Sequence, residues 1–237
     1  MNAQRYSRHA EIIGPEGQQK LDRSKVLIIG TGGIGSPAIF ALAAAGVGTL
    51  GIVDDDSVEI SNLNRQILHS ENFLHRPKTE SAKATISHFN SDIEVIPYQR
   101  RFDEKLAEQI VSEYDIIVDC VDNYATRKLT SHYAVEYHKP VIEAGIESFA
   151  GFVQIVVPGK TACFNCFELE EQEIFRQVLG ASTAVIGSLQ ALECIKVLTG
   201  LWDAAYSYIA INLKNYSLDR MFLSPNEHCK CTQIRRA

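Results

Sequence analysis

Residues 26–53 read VLIIGTGGIGSPAIFALAAAGVGTLGIV, and this stretch decides the fold. Residues 25–29 predict a buried parallel strand, and residues 34–45 predict a helix that ends at Gly46. Residues 49–53 predict a second buried strand. A strand, a glycine-rich turn, a helix and a second strand form a βαβ unit, from which doubly wound sheets are built.

The same 26–53 stretch contains no charged residue, so its composition alone would also allow a membrane span. Its glycines are spaced as turns between a strand, a helix and a strand, so we predict that the chain does not span a membrane. The polar start of the sequence lacks an apolar signal core, which favours the cytoplasm. A net charge of −6 gives no indication of a broad nucleic-acid surface.

The alternation of strands and helices continues to about residue 145 and then changes. The first part predicts helices over 77–89, 103–113 and 124–137, and strands over 93–98, 115–118 and 140–143. The second part predicts strands over 151–157, 206–213 and 215–223 around an apolar helix over 183–198. We therefore predict one α/β domain over 1–237, a Rossmann-like, mainly parallel sheet extended by antiparallel strands. Its nucleotide-binding half covers about 20–145 and its C-terminal half about 146–237.

The turn after the first strand predicts a nucleotide site. Without side chains, its glycines let a phosphate approach the N–H groups at the start of the helix. Asp54, at the end of the second strand, is placed to bind a ribose hydroxyl. Alternatively, the glycines only allow a tight turn to pack. The glycines of this turn are Gly30, Gly32, Gly33 and Gly35.

Four polar residues further along indicate that this nucleotide carries a polyphosphate. Asn62, Arg65 and Lys78 follow the second strand, and arginine and lysine can stabilise charge that grows on a phosphate. Asp122 follows the strand at 115–118, where a carboxylate can hold Mg²⁺. Taken singly, Lys78 is a solvated lysine, Arg65 a surface ion pair and Asp122 a helix cap. Their order along the chain favours attack on a phosphate of ATP over hydride transfer with NAD.

At these residues the sequence resembles the ubiquitin-activating-enzyme superfamily, in its small bacterial branch of MoeB, ThiF and HesA adenylyltransferases. The Asn-Leu-x-Arg-Gln segment is highly specific, and the matching pieces cover nearly the whole chain in order. The pieces are Arg5-Tyr6-Ser7-Arg8, Gly30–Gly35, Asp54, Asn62–Gln66, Pro77-Lys78, Asp122-Asn123, Cys163-x-x-Cys166 and Gly187–Ala191.

The resemblance implies that the C-terminal glycine of a ubiquitin-like sulfur carrier, ending in Gly-Gly, attacks the α-phosphate of Mg-ATP. Acyl-adenylate would form and pyrophosphate would leave. It implies that Asp54 binds ribose, that Asn62, Arg65 and Lys78 contact phosphates, and that Asp122 holds Mg²⁺. It further implies that Arg8 enters the active site of the partner subunit, so that the enzyme is a homodimer.

Four of the six cysteines form two closely spaced pairs, Cys163-x-x-Cys166 and Cys229-x-Cys231. Four thiolates suit structural Zn²⁺, although two unrelated thiol pairs or a redox pair would give the same pattern. Related sequences usually have Cys-x-x-Cys at the second pair, and the shorter spacing strains ligation by both thiols. His228 could replace one of them. Cys120 and Cys194 are predicted to be buried core thiols.

The loop over 167–183 contains no cysteine, whereas some relatives place there a cysteine that links to the carrier. We therefore expect adenylation without a covalent link between enzyme and carrier, and a separate sulfur donor, a cysteine desulfurase or rhodanese. The sequence does not separate the thiamine pathway from the molybdenum-cofactor pathway. The alternatives are activation of a peptide C-terminus or a modified tRNA base, an NAD-dependent oxidoreductase, and a nucleotide-binding scaffold without turnover.

Overall fold

A computed structural model describes residues 4–167 and 177–233 of the chain. Eight strands form one sheet: β1 (Lys25–Ile29), β2 (Thr49–Val53), β3 (Glu94–Tyr98), β4 (Ile116–Asp119), β5 (Val141–Glu147), β6 (Ala150–Val156), β7 (Tyr208–Asn212) and β8 (Ser217–Met221). The α-helices are α1 (Ser7–Arg23), α2 (Gly35–Ala45), α3 (Lys78–Phe89), α4 (Glu104–Ile110), α5 (Tyr124–Glu136), α6 (Gly180–Thr199) and α7 (Lys230–Gln233). Short 3-10 turns cover Ile60–Asn62, Glu71–Phe73, Val111–Glu113 and Phe164–Cys166.

The strand order of the sheet is β3-β2-β1-β4-β5-β6-β7-β8. The first five strands in this order pair in parallel, and the pairs β5–β6, β6–β7 and β7–β8 are antiparallel. The predicted class, a doubly wound parallel sheet extended by C-terminal antiparallel strands, is therefore confirmed. The strand order reverses between β1 and β4, and doubly wound sheets bind ligands at the carboxyl ends of the strands at this point.

Helices cover both faces of the sheet, because the buried parallel strands are apolar on both sides. On one face, α2, α3 and α6 bury apolar residues against β1 and its neighbours, with α1 beside α6. On the other face, α4 and α5 bury Leu106, Ile110 and Val135. The faces form two hydrophobic clusters, so every strand at the switch point is fixed from both sides.

The N-terminal helix α1 is an element that the sequence did not predict. Gly14 adopts a positive φ of 72° inside it, and Pro15 follows, so two helical pieces meet at a bend. This interruption breaks the apolar period from which a single helix could be recognised. The buried ring of Tyr6 lies against Gly46 at the end of α2, and the Tyr6 hydroxyl accepts a hydrogen bond of 3.0 Å from Asn90 Nδ2.

One helix in the described ranges, α6, is long and apolar enough to cross a membrane by length and composition. It lies against α2 and β5, and nearly half of its apolar stretch is buried inside the protein. Residues 26–53 form β1, α2 and β2 and therefore fold as the predicted strand, helix and strand.

Candidate functional site

The glycine loop, residues 30–35, connects β1 to α2 at the switch point of the sheet. Gly30 has a φ of 93°, and a Cβ there would lie 3.1 Å from the carbonyl oxygen of Cys120, directly after β4. A Cβ on Gly35 would lie 2.1 Å from the carbonyl oxygen of Gly30, which excludes any side chain. The glycines therefore serve the tight turn, and they also leave the backbone open at the start of α2, as phosphate binding requires.

Asp54 fixes the glycine loop from the end of β2. Its Oδ2 accepts hydrogen bonds from the backbone N–H of Thr31 at 2.8 Å and from the Thr31 hydroxyl at 2.6 Å. Its Oδ1 accepts the N–H of Asp56 at 2.9 Å. A carboxylate oxygen can accept more than one hydrogen bond, so ribose binding by Asp54 stays a prediction. The holding of the loop by Asp54 is an additional role that the sequence did not indicate.

Lys78 begins α3 with its side chain nearly buried, 6% exposed. Its Nζ lies 2.7 Å from Oδ2 of Asp56, whose side chain is 68% exposed. The solvated-lysine alternative for Lys78 is therefore wrong. A buried ammonium with one exposed carboxylate partner retains donors for a further anion. Asp56 is the functional candidate that sequence reasoning missed, because it is one of three adjacent aspartates.

Arg65 lies beside the glycine loop at Gly33. A Cβ on Gly33 would lie 3.4 Å from Cγ of Arg65 and 3.2 Å from Cγ2 of Thr183 in α6. The Arg65 guanidinium donates to the carbonyl of Ser61 at 3.0 Å and to Oδ1 of Asn64 at 2.9 Å. Both bonds lie within its own turn, so the guanidinium has no acidic partner among the described residues and its charge is uncompensated.

Asn62 ends the 3-10 turn that precedes Arg65. Its Oδ1 accepts the backbone N–H of Glu59 at 3.1 Å, as part of a capping box. This bond fixes the amide oxygen and leaves its NH₂ group as the donor that could contact a phosphate. The phosphate role of Asn62 stays a prediction.

Asp122 is exposed at the carboxyl end of β4, the same edge of the sheet as the glycine loop. The next residue, Asn123, caps α5, because its Oδ1 accepts the N–H of Thr126 at 2.9 Å. The alternative of Asp122 as the helix cap is therefore wrong. Its carboxylate has no hydrogen-bond or ionic partner in the part of the chain that the structure describes, so it fits a role as a metal ligand.

His69 is a second site residue that the sequence did not indicate. One ring nitrogen, Nε2, lies 3.2 Å from the carbonyl oxygen of Thr31, and Nδ1 lies 3.0 Å from the hydroxyl of Ser81 in α3. Burial lowers the pKa of the imidazole from 6.5 to about 4, which keeps it neutral at neutral pH. A neutral ring donates to Thr31 and accepts from Ser81, and in this way it links the glycine loop to the helix that begins at Lys78.

Arg8 lies on α1 and is exposed. The start of α1 contacts the far end of α3, where Arg5 donates to the carbonyl of Phe89 at 3.1 Å. Lys78 is at the opposite end of the same helix, about 17 Å away at a rise of about 1.5 Å per residue. The structure therefore does not bring Arg8 to the site of its own chain.

The four paired cysteines come together on the α5 side of the sheet. The Sγ–Sγ distances are 3.8 Å for Cys163–Cys166, 3.6 Å for Cys163–Cys229 and 3.4 Å for Cys166–Cys231. All four sulfurs lie within 4.8 Å of one another. A tetrahedral zinc with Zn–S bonds of about 2.3 Å has S–S edges of about 3.8 Å, so the sulfurs fit that metal.

The short Cys229-x-Cys231 spacing thus does not prevent both thiols from facing the same point. His228 is exposed and does not belong to the cluster. The pKa of Cys166 is lowered, chiefly by the thiol of Cys163 and more weakly by the N–H of Asn226 that it accepts, whereas the contact with Cys166 raises the pKa of Cys163 and burial raises that of Cys231. Zinc binding would therefore release protons from these two thiols. Cys120 and Cys194 are buried free thiols, as predicted.

The chain is similar to known proteins of one family, several of which are named adenylyltransferases. The family model described as the ThiF family matches residues 6–233. The sulfur carrier protein ThiS adenylyltransferase of Escherichia coli is 40% identical over 83% of this chain and 82% of its own length. The adenylyltransferase and sulfurtransferase MOCS3-1 of Zea mays is 39% identical over 84% of this chain, which spans only 44% of that protein.

Solved structures of E. coli MccB have the same fold. The complex of MccB with succinimide has a TM-score of 0.86 and 26% identity to this chain. The alignment covers 98% of this chain and 74% of the MccB chain. The complex of MccB with ATP has a TM-score of 0.84 and 27% identity to this chain. The alignment covers 96% of this chain and 73% of the MccB chain.

Proposed function

The chain belongs to the ThiF family, and from that premise we propose that it is an adenylyltransferase for a ubiquitin-like sulfur carrier of the ThiS or MoaD type. The proposal is supported by the positions of Arg65 beside Gly33, of Lys78 beside Asp56 after β2, and of Asp122 at the carboxyl end of β4. Binding a nucleotide for hydride transfer would not require these two cations and an unpartnered carboxylate, whereas attack on a triphosphate does.

The proposed reaction begins with a carboxylate oxygen of the carrier's C-terminal glycine attacking the α-phosphorus of ATP. A bond forms between that oxygen and the phosphorus, the bond to the bridging oxygen of the β-phosphate breaks, and pyrophosphate leaves. An anion attacking a polyanion is repelled, and the positive charges of Arg65 and Lys78 offset this repulsion. Asn62 and the glycine loop contribute N–H donors, and holding both substrates in line supplies much of the remaining rate.

We assign Asp122 as the residue that would hold Mg²⁺, and its free, exposed carboxylate supports this. When bound there, magnesium would neutralise charge on the phosphate oxygens. Asp54 would accept the ribose hydroxyls with the capacity that its bonds to Thr31 leave. Asp56 lies beside Lys78 and would set how strongly that lysine attracts phosphate.

We assign the four-cysteine cluster to structural Zn²⁺, with Cys163, Cys166, Cys229 and Cys231 as ligands. Its closed set of four sulfurs supports a role in holding the end of the chain to the turn after β6, without chemistry at the metal. All six cysteines are free thiols, in keeping with a reducing cytoplasm, where we place the enzyme.

We infer a homodimer in which Arg8 of one protomer completes the site of its partner. The start of α1 contacts the end of α3 opposite Lys78, and exposed apolar residues on α1 and α6 support a subunit interface. Ile12 is 76% exposed, and Val185 and Leu192, two turns apart on one face of α6, are each 46% exposed. Sulfur would come from a separate donor. The predicted cysteine-free loop over 167–183 has residues 168–176 outside the described part of the chain.

The test is ATP–pyrophosphate exchange with Mg²⁺, adding a ThiS-like and a MoaD-like carrier in turn. We expect exchange that requires one carrier and falls by about 100-fold or more in Arg65→Ala, Lys78→Ala and Asp122→Ala. Lys83→Ala removes an exposed lysine from the same helix as Lys78 and serves as the matched control. The carrier that supports exchange also names the pathway.

The competing substrate is another carboxylate, a peptide C-terminus or a modified tRNA base. The 40% identity with a ThiS adenylyltransferase, over 83% of this chain, favours the sulfur carrier. Exchange with neither carrier, from a folded protein that binds ATP, would refute the carrier assignment and leave these two substrates to be tested in the same assay.

A further inference from the structure

The backbone of Val121, directly before Asp122, is held at both of its polar groups by nearly buried side chains. Its N–H donates to Oδ1 of Asp119 at 3.0 Å. Its carbonyl accepts a hydrogen bond of 2.8 Å from Nη2 of Arg127. Since one peptide group lies on each side of Val121, these two bonds fix the direction in which the chain enters Asp122.

Arg127, in the first turns of α5, is only 8% exposed and reaches several elements at once. The same Nη2 donates to the carbonyl of Ala144 in β5 at 2.7 Å. Its guanidinium also lies over the rings of Phe152, at 5.6 Å, and Phe164, at 5.9 Å. A planar, forked group can make two bonds to carbonyls and stack on rings together, whereas the point charge of lysine cannot.

A buried carboxyl lies beside the guanidinium of Arg127. Its Nη2 lies 3.8 Å from Oδ1 of Asp119, whose side chain is fully buried. Asp119, Val121 and Arg127 thus contact one another in all three pairs, and each restrains the other two. Phe164 belongs to the Cys163-x-x-Cys166 turn, and its aromatic ring lies under the guanidinium of Arg127, so the cysteine cluster contacts this group of three residues directly.

We propose that Arg127 is a positioning residue for the adenylation reaction, one that holds the Val121 carbonyl so that the Asp122 carboxylate faces the phosphates. This inference rests on the proposed function, because Asp122 has a task only where a metal and a polyphosphate bind. Arg127 is too deeply enclosed to touch either of them and acts through the backbone.

The test compares Arg127→Lys with Lys128→Gln, which removes the exposed cation next to it on the same helix. The variants are purified with their zinc, and only those that match the wild-type zinc content and unfold cooperatively are compared. Three quantities are measured: amide hydrogen exchange of peptides covering residues 119–124, ATP affinity with and without Mg²⁺, and kcat and KM for pyrophosphate exchange.

We expect Arg127→Lys to speed amide exchange at Val121 and Asp122, and to remove most of the gain in ATP affinity that Mg²⁺ gives. We expect kcat to fall about 10- to 100-fold, as for partners that orient metal ligands, and KM for ATP measured with Mg²⁺ to rise in step with the lost affinity. Asp122→Asn should lose the same Mg²⁺ dependence, and Lys128→Gln should match wild type in all three measurements.

A lower melting temperature in Arg127→Lys, with unchanged amide exchange over 119–124 and unchanged Mg²⁺ dependence, would overturn the inference, because Arg127 would then be structural only. A wild-type protein that binds ATP with Mg²⁺ but catalyses no exchange would refute the proposed function alone. The first two measurements still test Arg127 in that case. A wild-type protein whose ATP binding ignores Mg²⁺ would overturn the inference, since Asp122 would hold no metal.

Discussion

Glu143 gives the sharpest prediction about stability. It is fully buried in β5, opposite Asp119 of β4, and neither carboxylate oxygen has a hydrogen-bond partner among the described residues. Burial raises the pKa of its carboxyl from 4.5 to about 8, with the guanidinium of Arg127 opposing and the carboxylate of Asp119 adding to the increase. The folded protein therefore keeps a proton on Glu143 at neutral pH, where the unfolded chain has lost it.

The sign of the effect follows from this difference in bound protons. Because the folded state holds the proton more tightly, the free energy of unfolding decreases as the pH rises from 4.5 to about 8. At about 1.4 kcal/mol per pKa unit, the loss is roughly 3 kcal/mol by pH 7 and approaches about 5 kcal/mol above pH 8. Glu143→Gln removes the titrating group and keeps the size of the side chain.

We expect wild type to lose about 2 kcal/mol more than Glu143→Gln between about pH 6.5 and about pH 8.5. The assay is equilibrium urea unfolding at fixed free zinc. The buried carboxyl of Asp119, whose pKa burial also raises, is present in both proteins, so the difference between them reports Glu143 together with its coupling to Asp119. Glu147→Gln removes an exposed carboxylate from the same strand and should follow wild type. Equal pH slopes for wild type and Glu143→Gln would refute the reasoning.

Two further predictions concern the glycine loop and the cysteine cluster. Because burial lowers the pKa of His69 to about 4, its neutral form stabilises the fold, and wild type should lose up to about 3 kcal/mol as pH falls from 6.5 to 4. In unfolding experiments His69→Gln should lack this loss, whereas the exposed His88→Gln should retain it. Cys231→Ser should release zinc and lower the melting temperature, whereas Cys120→Ser and His228→Asn should keep one zinc per chain by elemental analysis. Full zinc in Cys231→Ser would contradict the four-cysteine ligand set.

The sequence predicted most of the sheet because its strands and turns have local causes. The run from Val26 to Ile29 is apolar on both faces, and Gly46 ends α2 in the left-handed conformation that glycine adopts most readily. The C-terminal strands follow one another without a helix after each strand, and this change of pattern predicted the antiparallel part of the sheet. The helix α1 was missed, because Gly14 and Pro15 interrupt its period, and the four-residue α7 was not predicted either.

The candidate site was less accessible to sequence reasoning, because its contacts are long-range. Nothing near His69 indicates that its ring meets Thr31, 38 positions earlier. Asp54 matched the ribose position, yet its bonds to Thr31 depend on the register of β1 and β2. The cap of α5 lay one residue from the position considered, at Asn123 rather than Asp122. Asp122 and Asn123 could both cap a helix by their chemistry, and only the backbone geometry shows which of them does.

The cysteine cluster affects the stability of a long segment of the chain. Its two pairs enclose α6, β7 and β8, so a metal bound there adds its binding free energy to the folding of that whole segment. With the proposed zinc, each tenfold rise in the free metal concentration adds about 1.4 kcal/mol of stability. Phe164 links the same cluster to Arg127 and so to the turn before Asp122. Loss of the proposed zinc would therefore loosen the turn before Asp122 from a distance, without any chemistry at the metal.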